Sequence, residues 1–84
     1  MSYPIEILPR AQRELEDLPH EVYAKVVNAV RSLASDPRPH GSRKLTDRAA
    51  WRVRTGAYRA IYEIDDACRT VTVVQIGHHR DVYR

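Results

Sequence analysis

The sequence predicts an α+β layer in which an N-terminal strand and a helical hairpin precede a three-stranded antiparallel meander, with both helices on one face of the sheet. Three observations predict it. Apolar residues up to Ser35 first alternate and then recur every three or four positions. The segment DPRPHGS, from Asp36 to Ser42, punctuates the chain with two prolines and a glycine. Beyond Ala50 the apolar runs are β-branched or aromatic and are separated by turn residues. The 84 residues read as a single domain spanning 1–84.

Taking the elements in order, Tyr3 to Leu8 alternates Tyr3, Ile5 and Ile7 with Pro4, Glu6 and Leu8, a short strand with its proline near the start or on an edge. Pro9 suits the first turn of a helix whose stripe is Ala11, Leu15 and Leu18 and which ends at Pro19. A second helix is predicted from about His20 to Ser35, with Val22, Tyr23, Val26, Val27, Val30, Leu33 and Ala34 as its apolar side. Several of these are mediocre helix formers, so packing on a sheet must hold it. After the loop, Trp51–Thr55 and Tyr58–Ile64 form a hairpin turned at Gly56. Asp65 to Ala67 is a second turn, and Arg69 to Ile76 is the most strand-like run. It carries Val71 and Val73 at one parity and Val74 and Ile76 at the other, which predicts a central strand covered on both faces, by helices on one and by the C-terminal tail or a partner on the other.

Composition narrows the classes. With 43% hydrophobic and 30% charged residues and eight Gly plus Pro, the chain is globular rather than disordered, and no repeat is visible. The single Cys68 excludes an intramolecular disulfide and suits a reducing cytosol. No signal peptide or membrane span is evident, so a soluble cytoplasmic protein is expected. Charge is uneven. Residues 1–42 hold five Lys/Arg against six Asp/Glu, whereas residues 43–84 hold nine against five, which predicts an anionic partner for the C-terminal half.

The hairpin concentrates this charge. Arg52 and Arg54 alternate with Trp51, Val53 and Thr55, so a strand places both guanidinium groups on one face, and Arg59 follows on the next strand. Arginine is a donor-only, permanently charged fork suited to phosphate. The alternative on these residues alone is a solvated basic face bridged to Glu63 or Asp65. Adjacent His78 and His79 point to opposite sides of an extended chain, and His20 and His40 lie elsewhere, so no metal site is expected. Cys68 and the serines lack a nucleophilic motif. An Arg, His and Tyr set remains, suited to phosphodiester cleavage or, more simply, to packing a tail through His79 and Tyr83.

The pair KL at Lys44 and Leu45, WRVRTGAYRAIYEI at 51–64 and VVQIGHHRDVYR at 73–84 closely resemble the RelE/ParE superfamily of bacterial toxins, in particular the RelE-like mRNA interferases. The resemblance covers nearly the whole chain. It implies that Arg52 and Arg54, with Lys44, contact mRNA phosphates and that Arg59 steadies the scissile phosphate. Arg80 and Tyr83 complete the implied catalytic set with His79, which stands where the family commonly has arginine and which can carry protons. The implied activity is a metal-independent, cofactor-free endoribonuclease acting in the ribosomal A site by attack of the ribose 2′-hydroxyl. The implied partners are the ribosome, mRNA and a cognate antitoxin, RelB-like or another small protein, in a toxin–antitoxin hetero-oligomer. A ParE-like gyrase-inhibiting toxin, or an inactive relic serving as an antitoxin-bound corepressor, is the alternative.

Overall fold

The computed structural model describes residues 2–78 and Arg80. Over these residues the chain forms β1 (Ile5–Ile7), α1 (Pro9–Glu16), α2 (His20–Ser32), β2 (Arg43–Lys44), β3 (Trp51–Thr55), β4 (Tyr58–Asp65) and β5 (Thr70–His78). The strands make one sheet in the order β1-β5-β4-β3-β2. The pairs β2–β3, β3–β4 and β4–β5 are antiparallel, and β1 joins parallel to β5 through Ile5↔Val71 and Ile7↔Val73. This is the expected α+β class, with one strand that periodicity missed: β2 has two residues, too few to show a period.

Local chemistry sets the element ends. Pro9 sits in the first turn of α1, where its missing N–H costs nothing, and the backbone N–H of Asp17 closes the helix on Arg13 O. Pro19 is the N-cap residue of α2. That helix ends at Ser32, one turn short of the expected Ser35, and Leu33 to Ser35 continue as hydrogen-bonded turns. In α2 each β-branched or aromatic residue costs up to about 0.7 kcal/mol relative to alanine. Burial of Val26 and Val30 returns about 1.5–3 kcal/mol each, so packing wins over propensity.

Ala11, Leu15, Val26, Val30 and Leu33 from the helical side meet Ala60, Tyr62, Val71, Val73 and Ile76 from the sheet. Tyr62, Val71, Val73, Ala11 and Leu33 are fully buried. The Tyr62 hydroxyl donates to Pro37 O at 2.8 Å, fastening the 36–42 loop to the core, and burial pushes its pKa up.

The parity change in β5 has a different cause from the one expected. The register runs Tyr62↔Val73 and then Ile61↔Gln75, so Val74 is an extra residue, a β-bulge. The bulge resets the alternation. Val71, Val73 and Ile76 therefore all face the helices, while Val74 packs with Ile61, Ala50 and Leu45 on the other face. β5 is an interior strand over its first half, but the opposite face is covered by the segment before β3 rather than by an extended apolar surface of its own. The strand after the β4 turn also starts one residue later than the expected Arg69. Arg69 adopts φ +54°, a left-handed conformation uncommon for a non-glycine residue, and the strand starts at Thr70.

Two ties fix the far end of the sheet. The Tyr3 hydroxyl donates to Asp66 Oδ1 at 2.8 Å, and Arg38 grips the same carboxylate with Nη1 at 3.3 Å and Nη2 at 2.9 Å. The Arg38 guanidinium also lies 5.1 Å from the Trp51 ring centroid. Arg38, then Tyr3, hold the Asp66 carboxyl below its ordinary range. Where β5 runs past β1, its Ile76 N–H is taken by Glu14 Oε1 at 2.9 Å, so α1 satisfies a sheet-edge donor that β1 is too short to reach.

Candidate nucleic-acid interface

The sheet face turned away from the helices is built in rows across the strands. Residues paired in register share a face, so one row reads Arg43, Arg52, Ile61 and Gln75 over β2, β3, β4 and β5. The next row, toward the β3–β4 turn, reads Arg54, Arg59 and Gly77. In the opposite direction come Glu63 with Thr72, and then Asp65 with Thr70. The face is polarised, cationic at the Gly56 end and anionic at the other.

The turn that makes this possible is short. Gly56 and Ala57 connect β3 to β4, and Gly56 has φ +60° while Ala57 is not in the left-handed region, as in a type II′ turn. A two-residue turn fixes register, and register sets Arg54 directly opposite Arg59. Like charges directly opposite on a sheet repel. Among the described residues, Arg43, Arg52 and Arg54 make no side-chain hydrogen bond or ion pair, and Arg52 Nη1 is buried without an acceptor. A buried donor on a charged group left unsatisfied is costly, so the row is built for an acceptor that arrives from outside. Gly77, opposite Arg59, has no side chain and leaves that row open on the β5 side.

The structure brings together Arg52, Arg54 and Arg59, as the hairpin reading expected. It places Lys44 elsewhere: Lys44 pairs with Trp51, whose parity is that of Tyr62 on the helix side, and its neighbour Arg43 takes the position opposite Arg52. The signal for Arg43 was present as a basic residue at the other parity of a two-residue run. Arg80 is exposed, and its backbone N–H donates to His78 Nδ1 at 3.3 Å. His78 itself lies on the helix side, edge-on to Tyr58 with ring centroids 5.4 Å apart. His79 and Tyr83, expected to act in catalysis, lie outside the described residues. Among the described residues no group of three His, Cys, Asp or Glu side chains is arranged to hold a metal ion, and no helix is long and apolar enough to cross a membrane.

Comparison with known proteins places the chain in a class of small toxins. The family model for the ParE toxin of the type II toxin–antitoxin system parDE matches residues 5–83. Toxin RelG of Mycobacterium tuberculosis is 34% identical over 86 residues, covering 100% of this chain and 99% of that protein. The chain belongs to the RelE/ParE superfamily of type II toxin–antitoxin toxins. Among solved structures, the toxin–antitoxin complex RelBE2 of Mycobacterium tuberculosis contains a chain with TM-score 0.83 and 28% identity, covering 94% of this chain and 100% of that one. The archaeal RelE–RelB complex of Pyrococcus horikoshii has the same fold, with TM-score 0.83 at 22% identity, covering 96% and 99%. The isolated RelE toxin of E. coli aligns with TM-score 0.81 at 22% identity, covering 98% and 92%.

Proposed function

We propose that this toxin is a ribosome-dependent mRNA endoribonuclease. The observation that carries the reading is the Arg54–Arg59 pair beside Arg52, three guanidinium groups aimed by register at one open patch floored by Gly77. Such a patch holds a phosphodiester and stabilises the extra negative charge that develops when the neighbouring 2′-hydroxyl attacks phosphorus. The attack forms a 2′,3′-cyclic phosphate and expels the 5′-oxygen of the next nucleotide, which takes up a proton. Arginine at neutral pH stabilises charge but does not move protons, so proton transfer falls to His79 or Tyr83 in the tail, with Arg80 adding charge. With so few acid–base groups on the patch, the protein relies on the ribosome to orient the RNA.

The partners follow the same reading. Related toxins are found in complex with antitoxins, and a cognate antitoxin that covers the basic face with acidic groups would neutralise the cationic rows. A second reading, inhibition of DNA gyrase, is favoured by the matching of the ParE family model. Primer extension on a translated message after induction, beside a gyrase supercoiling assay, separates the two. Discrete cuts within translated codons support the nuclease; loss of supercoiling with intact message supports the gyrase reading and refutes ours.

A further inference from the structure

Resting on the nuclease reading, we propose that Arg43 and Arg52 form a second phosphate subsite, one nucleotide from the Arg54–Arg59 pair, so that the RNA strand leaves the site over the β2 edge. Three observations carry it. First, Arg43 and Arg52 are register partners on the open face, a second like-charge pair stacked directly beside the first. One such pair belongs to a reacting phosphate; two successive pairs match a polyanion. Second, positions two apart on a strand are separated by about 6.7 Å, comparable with the phosphate repeat of an extended single strand. Third, charge favours this direction over the one along β4. A strand moving along β4 past Ile61 meets Glu63 and Asp65, which repel it, whereas one crossing toward β2 meets Arg52 and then Arg43.

Arg52 supports the assignment independently of charge counting. Its Nη1 is buried with no acceptor among the described residues, and as the register partner of Arg43 it would be satisfied by a phosphate held between the two. β2 itself is only Arg43 and Lys44, an edge strand whose outer side carries no further strand, so nothing in the sheet obstructs an exit there. Arg43 then acts as a positioning residue: it fixes the register of the strand, while Arg54 and Arg59 face the bond that breaks.

The test uses a ten-nucleotide single strand, 2′-O-methylated throughout so that it binds without being cut, with binding followed by fluorescence anisotropy across a salt series. Arg43→Gln is expected to lower the magnitude of the slope of log K against log salt by about 0.7, the loss of one single-strand phosphate contact. Replacing single phosphates by neutral methylphosphonates, one position at a time, adds the geometric readout. In the wild type, neutralising either of two adjacent positions weakens binding. In Arg43→Gln one of those two positions loses part of its sensitivity, because Arg52 still holds that phosphate, and in Arg54→Gln the other does, because Arg59 remains. If Arg43→Gln leaves both the slope and the methylphosphonate profile unchanged while Arg54→Gln alters them, the second subsite is refuted and the nuclease reading stands. If neither variant alters them, or the wild type does not bind, the second subsite is refuted, and the nuclease reading is decided separately by cleavage of ribosome-bound message. Arg43 is exposed on a two-residue edge strand, so a thermal melt within 2–3 °C of wild type is expected for a surface change and checks that the variant is folded.

Discussion

Arg54→Gln should make the protein more stable and less active at once. The register sets Arg54 opposite Arg59, and cross-strand partners have Cβ atoms about 5 Å apart. With guanidinium groups splayed to about 6 Å in a water-like dielectric, their repulsion is about 0.7 kcal/mol. Glutamine keeps most of the stem and removes only the charge. For a domain of this size that gain raises the melting temperature by about 3–5 °C. Screening supplies the control, because the Debye length shrinks from about 10 Å at 0.1 M salt to about 3 Å at 1 M and should erase most of the difference. Sulfate should stabilise the wild type more than the variant, since it binds the folded pair. The assay is thermal unfolding of both proteins at 50 mM and 1 M sodium chloride, with and without sulfate. A variant that melts lower than wild type at low salt, or one whose advantage is equal at 1 M, would show that the two arginines do not share a field and would remove the reason for an anion there.

Two further predictions concern the frame. Deleting Val74 removes the extra residue and leaves Val71, Val73 and Ile76 in regular alternation on the helix face, so the variant should still unfold cooperatively and lose only the contacts of Val74 with Ile61, Ala50 and Leu45; loss of the cooperative melt and of near-ultraviolet circular dichroism contradicts the register. Asp66 has a folded pKa below the ordinary 3.8 because Arg38 and Tyr3 bind its charged form, so its contribution to stability is complete above that value and is lost as pH falls through the folded one. Asp66→Asn should flatten the acid limb of the stability profile below about pH 3.8, and parallel limbs for variant and wild type would refute the tie.

Much of the fold was legible because its signals are local. Pro9 and Pro19 mark the helix starts, Gly56 marks the hairpin and the stripe from Ala11 to Leu33 names the helix faces. The features that escaped depend on pairing. A bulge and a two-faced strand produce the same sequence pattern, so Val73–Val74 could be separated only once Tyr62 and Ile61 had chosen their partners. The site was legible where arginines alternate on one strand, at Arg52 and Arg54, because parity within a strand is automatic. It was not legible at Lys44 and Arg43, where a one-residue choice of register decides which faces the open side. The Tyr3–Asp66–Arg38 cluster joins residues distant in sequence and leaves no periodic trace.

The central claim is that the Arg54–Arg59 pair stabilises transition-state charge on ribosome-bound mRNA. The most direct measurement is the single-turnover cleavage rate of a programmed ribosome complex by wild type, Arg59→Ala and Arg59→Lys, with the same RNA free in solution beside it. Wild type should cut the ribosome-bound message and spare the free one, Arg59→Ala should lose on the order of a hundredfold or more in rate with stability changed by less than about 1 kcal/mol, and lysine should restore only part. Cleavage by Arg59→Ala at the wild-type rate, or equally fast cutting of free RNA by the wild type, would contradict it.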